Sequence, residues 1–364
     1  MTLRRTLRAG PAGNGVLLYG EGILGRLGAE AARAVRPGPC VLVTDRTVRR
    51  LYGARAAASL RAAGFRPREV VLPPGERSKT MASVGRVLAA LSAIRAGRET
   101  PVVALGGGVV TDLAGFAAAI YARGVPWVAV PTTLLGMADA AVGGKTGVDL
   151  PGGKNLVGSF HLPRLVLADA ETLATLPRRH LRNGLAEVAK MELLGGVRRG
   201  LPRVRRLAAV VAARDGAALA RAAARAAFAK AEIVARDPLE RRGKRVLLNL
   251  GHTVGHALEA ATGCDGSVLH GEAVAIGIAA ACRIAEARGL LRAGERLAVA
   301  GALAELGLPV ALPRGVRPRA VVSCAGLDKK RAGGRLRMIL PRSNARAIVA
   351  AVEAGEIANA LLAT

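Results

Sequence analysis

Pro101-Val102-Val103-Ala104-Leu105-Gly106-Gly107-Gly108-Val109-Val110-Thr111-Asp112 decides the fold class. An unbroken apolar run meets three glycines, and a helical pattern follows to about Ala122. Such a run predicts a strand buried on both faces, turning sharply into a helix whose first N–H groups point past the strand end. The same grammar recurs on either side. Cys40 to Thr44 ends at Asp45, and Val70 to Leu72 leads into Pro73-Pro74-Gly75-Glu76. Trp127 to Val130, entered through Pro126, ends at Pro131-Thr132-Thr133. Continuous apolar strands alternating with helices predict a parallel, helix-covered sheet. Ligands of such sheets bind outside the carboxyl ends of the strands, and all four ends here carry polar or Gly-rich residues.

From about Leu176-Pro177 the strand signals fade. Val204 to Arg236 has helical periodicity, and Asn249 to Ala261 and Gly271 to Arg288 read as further helices. The expected architecture is an α/β N-terminal domain with a parallel sheet, residues 1–177, followed by a mainly α-helical domain, residues 178–364. A chain of 364 residues suits two cores better than one.

Of 54 basic residues only 8 are lysine: Lys79, Lys145, Lys154, Lys190, Lys230, Lys244, Lys329 and Lys330. Where arginine is the default cation, a retained lysine marks a place needing a compact, rotatable ammonium. Lys79, Lys145 and Lys154 lie in or beside Gly-rich stretches, the setting in which backbone and ammonium approach phosphates. Chance placement would scatter lysines over the arginine-dense helices.

The net charge of +28 raises the question of nucleic acid, but the arginines are dispersed and aromatic residues make up 2%, too few for base stacking. No nucleic-acid partner is expected, and a basic surface favours anionic substrates. Cys40, Cys264, Cys282 and Cys324 show no CxxC spacing, which points to a reducing, cytoplasmic setting without a disulfide framework. No apolar run of about 20 residues is free of Gly or charge, so no membrane span is expected.

The Gly106-Gly107-Gly108 loop is not GxGxxG, and a plain strand-to-helix turn would explain the glycines alone. The histidines carry more. Three of the five, His252, His256 and His270, fall within 19 residues. His252 and His256, four apart, share a helix face, so they pair as metal ligands with His270 or a carboxylate added. Glu187, with Lys190 one turn later, is a candidate carboxylate; its plain reading is a surface ion pair.

Gly106 to Phe116, Arg123-Gly124-Val125, Pro131 to Leu135, Asp139, Val142 to Gly147, Gly153 to Leu156 and Gly184 to Val188 together resemble the 3-dehydroquinate synthases. So do Leu247 to Thr253, Gly255-His256, Leu269 to Glu272 and Asp328-Lys329-Lys330, in the right order over about residues 40 to 345. The resemblance implies an NAD-binding α/β domain, a helical metal-binding domain, and cyclisation of 3-deoxy-D-arabino-heptulosonate 7-phosphate to 3-dehydroquinate with release of phosphate. It implies NAD⁺ and one divalent metal, Zn²⁺ or Co²⁺, held by Glu187, His252 and His270, which moves His256 from the metal to the substrate phosphate. NAD⁺ would lie against Asp45, Glu76, Lys79, Gly107, Gly108, Asp112, Thr132, Thr133, Thr172 and Thr175, with Lys145 and Lys154 nearby. The anionic sugar-phosphate substrate would be gripped by Lys145, Asn155, Lys190, Lys230, Arg245, Asn249, His256 and one or both of Lys329 and Lys330. Asp139 would organise this network, and Arg123 would reach a neighbouring subunit's site, implying a homodimer.

The chain departs from the family pattern at Thr111, where Gly is usual, at Met137-Ala138-Asp139-Ala140, at His161-Leu162-Pro163 and at Val254. An extra residue falls within Asp237 to Arg245. The rivals are a related cyclase making an aminated dehydroquinate or a valiolone-type cyclitol, and an NAD- and metal-dependent polyol dehydrogenase. Lys190, Lys230 and Arg245, directed at a carboxylate, favour an acid substrate.

Overall fold

The computed structural model describes residues 2–10, 13–325 and 335–362. Its strands are β1 (Leu3–Arg8), β2 (Asn14–Gly20), β3 (Pro39–Asp45), β4 (Arg66–Leu72), β5 (Val102–Gly106), β6 (Trp127–Pro131), β7 (Lys145–Leu150), β8 (Gly153–Phe160), β9 (Leu165–Asp169), β10 (Leu336–Leu340) and β11 (Ile348–Val352). The chain divides into two compact units, residues 1–177 with 215–241, and residues 178–214 with 242–364.

The first unit is built on a seven-stranded sheet of order β1-β2-β9-β6-β5-β3-β4. All neighbours are parallel except β1 against β2. Every residue of β5, β6 and β9 is buried, as strands covered on both faces require. Leu24, Leu27, Leu42, Leu60, Phe65, Leu105, Val130 and Leu167 form one core under the covering helices. From β3 the chain runs outward to β4, and from β5 it runs the other way to β6. The strand order therefore reverses between β3 and β5, opening a crevice at their carboxyl ends. A separate antiparallel hairpin, β7 with β8, carries Lys145, Lys154 and Asn155.

The structure differs in one element from a single boundary at 177/178. The stretch expected to be one helical region from Val204 to Arg236 is broken at Arg214, whose φ is 51°, and Asp215 caps a new helix by accepting from the Ala218 N–H at 2.8 Å. That helix, Gly216–Arg236, belongs to the first unit. Its Phe228 ring meets Tyr19 edge-on at 5.7 Å, and Glu232 pairs with Arg5 at 2.7 Å.

The second unit packs the helices Arg178–Leu194, Val197–Ala212, His252–Ala261, His270–Ala287, Ala293–Glu305, Pro318–Ala325 and Ala354–Leu362 with the hairpin β10/β11. Glycines let three of these helices approach closely. A Cβ on Gly271 would stand 1.9 Å from the Asn183 carbonyl, and one on Gly277 would stand 1.9 Å from the Gly251 carbonyl. Gly251 itself, at φ 81°, turns the chain into the helix His252–Ala261. Gly271→Ala is therefore expected to cost about 1–3 kcal/mol by overpacking, read from denaturant unfolding; a wild-type midpoint would show that the helices can separate freely. No helix among the described residues is long and apolar enough to cross a membrane.

Glu295 ties the helix Ala293–Glu305 to its surroundings. It accepts from the Arg198 guanidinium at 2.7 Å, the Arg292 N–H at 3.0 Å and the Ser343 hydroxyl. Burial alone would raise this carboxyl, but those donors outweigh burial and bring it from 4.5 to about 2. A carboxyl depressed by folding stabilises the fold above its unfolded value and loses that contribution as pH falls through the folded one. The stability margin of wild type over Glu295→Gln is thus expected to shrink between pH 4.5 and about 2. Unfolding curves at stepped pH check this, and a margin indifferent to pH would contradict it.

Candidate metal centre and cofactor crevice

Glu187, Lys190, Asn183 and Arg179 lie on one helix, Arg178–Leu194, while His252, His256 and Glu259 lie on His252–Ala261, and His270 opens His270–Ala287. The close approaches at Gly271 and Gly277 bring the three helices together here. Glu187 and Lys190 are fully buried, so their pairing is no surface ion pair. The ligand atoms of Glu187, His252 and His270 lie within 4.8 Å of one another.

His252 Nε2 and His270 Nε2 each stand 3.6 Å from the same Glu187 oxygen, Oε1. That is too long for a hydrogen bond. Ligands roughly 2.0–2.1 Å from one tetrahedral ion lie about 3.4 Å apart, so the spacing suits a shared cation. Neither Glu187 oxygen accepts a hydrogen bond, although the Lys190 ammonium pairs with Oε2. A buried, under-satisfied carboxylate facing two imidazole nitrogens fits a divalent metal.

Burial alone would raise the Glu187 carboxyl, but Lys190 above all, then His252 and His270, hold it well below the carboxylate range. Burial, helped by Lys190, pushes His252 down to about 3, so its imidazole is neutral. For His270 burial is outweighed by Glu187 and Glu259, which bring it up to about 10.

The pairing of His252 with His256 read from their spacing is not what the geometry assembles. Their rings meet edge-on at 5.2 Å, and His256 stands exposed beside the trio. A second group that could hold a metal, His256 with Glu259 and His270, shares His270. Arg245 is buried and Asn249 half-buried on the short helical turn Arg245–Asn249 that precedes Gly251. Lys329 and Lys330 lie outside the described residues.

In the first unit, Gly107 follows β5 and caps the helix Gly108–Ile120, leaving the first N–H groups of that helix unpaired in the backbone ladder, as an anion requires. A Cβ on Gly107 would approach the Thr133 methyl to 3.0 Å, so the crevice wall there is bare backbone. These features, at the reversal between β3 and β5, fit a dinucleotide diphosphate. Thr111 is buried and donates to the Gly107 and Gly108 carbonyls at 3.3 and 3.0 Å, which ties down the first turn. Asp45 ends β3 and accepts from the Thr47 and Val48 N–H groups. Thr172 and Thr175 lie beyond the carboxyl end of β9; Thr172 donates to the Asp169 carbonyl at 2.7 Å, and the Thr175 hydroxyl lies 2.6 Å from that of Tyr52. Thr132 is buried at the end of β6.

Beside this crevice the buried Lys79 ammonium reaches Asp112 at 2.6 Å and the Asn155 amide oxygen at 2.5 Å. Asn155 has φ 55°, and its N–H donates to Asp149 at 2.7 Å. Lys154 lies 3.9 Å from Glu76. Lys230 pairs with Asp139 at 2.8 Å, Asp139 sitting in a π-helical turn, Gly136–Ala140. Lys145 pairs with Glu240 at 2.5 Å. Glu240, in the stretch with the extra residue, has φ 56°. Arg123 is exposed at φ 65°, next to Ala122 at φ 47°. Two adjacent non-glycine residues in that region store strain of a kind kept at functional sites.

Sequence reasoning missed Glu259, Asn183 and Glu240. Glu259 was findable, lying seven residues after His252 and three after His256 on the same helix face. Nothing local marks the other two.

Residues 69–183 match the family model described as 3-dehydroquinate synthase N-terminal, and residues 184–331 match 3-dehydroquinate synthase C-terminal. A 3-dehydroquinate synthase of Xanthomonas campestris pv. campestris (strain 8004) is 48% identical over 330 residues, 88% of each chain. One of Symbiobacterium thermophilum is 46% identical over 327 residues, 89% of this chain and 90% of its own. Among solved structures, the 2-epi-5-epi-valiolone synthase of Streptomyces hygroscopicus subsp. jinggangensis 5008, with NAD⁺ and Zn²⁺ bound, matches with a TM-score of 0.84 at 35% identity, covering 95% of both chains.

Proposed function

The chain belongs to the 3-dehydroquinate synthase family, and from that membership we propose that it cyclises 3-deoxy-D-arabino-heptulosonate 7-phosphate to 3-dehydroquinate with release of phosphate. The observation that carries the reading is the buried Glu187 carboxylate, without a hydrogen bond and facing two imidazole nitrogens. Glu187, His252 and His270 hold the divalent metal. Gly107, Gly108, Asp112, Thr132 and Thr133, with Asp45, Glu76, Lys79, Lys154, Thr172 and Thr175, form the NAD⁺ site. When bound, NAD⁺ would supply a reversible hydride acceptor and the metal would supply Lewis-acid polarisation of substrate hydroxyls.

The protein's own residues bind and orient. His256, exposed beside the metal trio, takes the phosphate. Lys145, Asn155, Lys190, Lys230, Arg245 and Asn249 grip the anionic substrate, with Lys329 or Lys330 in addition. Asp139 holds Lys230 in register. Lys79 holds the Asn155 side chain by bonding its amide oxygen, so the rest of that side chain is presented in one orientation. Fixed cations of this kind act by positioning and electrostatics. The protein is a homodimer in this reading, with Arg123 on its strained turn directed at the partner's site, and it works in the reducing cytoplasm.

The 35% identity to a valiolone-type cyclase supports one competing reading, a substrate without the carboxylate. The relative kcat/KM for the heptulosonate phosphate and for an analogue carrying hydroxymethyl in place of carboxylate tests it. Preference for the acid by at least about tenfold, roughly 1.4 kcal/mol, is expected; preference for the neutral analogue would move the chain to the cyclitol enzymes.

A further inference from the structure

We propose that Glu259 is a positioning residue of the metal centre, its carboxylate fixing the His270 ring with Nε2 turned toward the metal. The proposal rests on the reading of Glu187, His252 and His270 as the ligands. His270 has two ring nitrogens with different neighbours. Nδ1 lies 3.1 Å from Glu259 Oε2, at hydrogen-bonding distance, while Nε2 lies 3.6 Å from Glu187 Oε1, at ligand-to-ligand distance. A carboxylate can only accept, so Nδ1 donates to it and keeps its proton, and Nε2 is the nitrogen that would give up its proton to ligate a metal. His252 follows the same rule with a weaker acceptor, its Nδ1 lying 3.2 Å from the Leu250 carbonyl.

Glu259 is buried, and a carboxylate is not kept from water without a partner to hold it there. The helix His252–Ala261 therefore supplies one ligand directly and steers another that belongs to the next helix. The backbone of His270 is held separately. The Gly271 N–H donates to the Asn183 side chain, the Leu269 N–H donates to Glu272 at 2.9 Å, and Arg179 clamps Glu272 at 2.8 Å through both nitrogens. Loss of Glu259 would thus free the ring while the helix start stays in place. Glu259 could instead be a ligand of a second ion with His256 and His270. The 3.1 Å contact favours the hydrogen bond.

The test is the Zn²⁺ affinity of the full-length protein by competition with a chromophoric chelator, with the visible spectrum of its Co²⁺ form, for wild type, Glu259→Ala and Glu259→Gln. Glu259→Ala is expected to bind Zn²⁺ roughly 10- to 100-fold more weakly, with an altered Co²⁺ spectrum. Glu259→Gln should lose less, because its amide oxygen still accepts from Nδ1–H. Wild-type affinity in Glu259→Ala would overturn the proposal. So would a second equivalent of Co²⁺ bound by wild type and lost in Glu259→Ala, which would make Glu259 a ligand. If Glu259→Ala does not fold, Glu259→Gln decides alone: weakened affinity supports the proposal, and unchanged affinity and spectrum overturn it. Wild type that binds no Zn²⁺ at all would remove the metal centre itself, and this proposal with it.

Discussion

Chelator-stripped protein is expected to lose all measurable turnover of the heptulosonate phosphate, and added Zn²⁺ or Co²⁺ to restore it. The three proposed ligands come from three helices, so the site exists only in the folded chain. Each ligand carries more of the affinity than any outer partner, whose loss costs roughly 10- to 100-fold. His270→Ala should therefore lower metal occupancy by more than that and abolish activity. His256→Ala should keep the metal and raise KM, because it stands exposed beside the trio. Full activity in metal-free protein, or equal metal loss in both variants, would contradict this assignment.

Lys190→Arg is expected to lose at least about tenfold in kcat/KM, about 1.4 kcal/mol of transition-state stabilisation. The lysine is fully buried and its ammonium pairs with Glu187, so the site has room for a compact charge and not for a planar fork. A guanidinium of the same charge would push against Glu187 and move a proposed metal ligand. Lys244 is exposed, and Lys244→Arg should leave activity unchanged. Melting curves separate a loss of chemistry from a loss of fold. Equal tolerance at both positions would show that the scarcity of lysine says nothing about function.

Much of this was legible in the residues. The strands ending at Asp45, Gly106 and Pro131 announce themselves as apolar runs because they are buried on both faces, while the edge strand β4 shows only its last three residues, Val70 to Leu72, as such a run. β1 does not, since arginines interrupt it and its faces alternate between half-buried and exposed. The hairpin β7/β8 was hidden for another reason. The Gly-rich stretches beside Lys145 and Lys154 read as phosphate approaches, and Gly158 carried no signal, although a Cβ on it would stand 2.2 Å from the Thr146 carbonyl, so that glycine serves strand packing. β10 and β11 were missed because short, partly exposed strands after a run of helices carry little signal. The helix Gly216–Arg236 could not be assigned to its unit from an Ala-rich pattern, since small residues pack against either partner equally well. At the metal centre, spacing on one helix suggested His252 with His256. Which side chains meet depends on which helices cross, and the carboxylate facing His252 and His270 is Glu187, 65 residues before His252. The residues alone offered Glu187 as a candidate carboxylate, and the resemblance to the family set it with His252 and His270.

In a cyclase NAD⁺ is regenerated within each cycle while phosphate leaves. The measurement is inorganic phosphate and NADH absorbance followed together, with the metal-loaded protein, catalytic NAD⁺ and excess 3-deoxy-D-arabino-heptulosonate 7-phosphate. Many equivalents of phosphate per NAD⁺ are expected, with NADH near zero. Stoichiometric NADH without phosphate release would contradict it and make the chain a dehydrogenase.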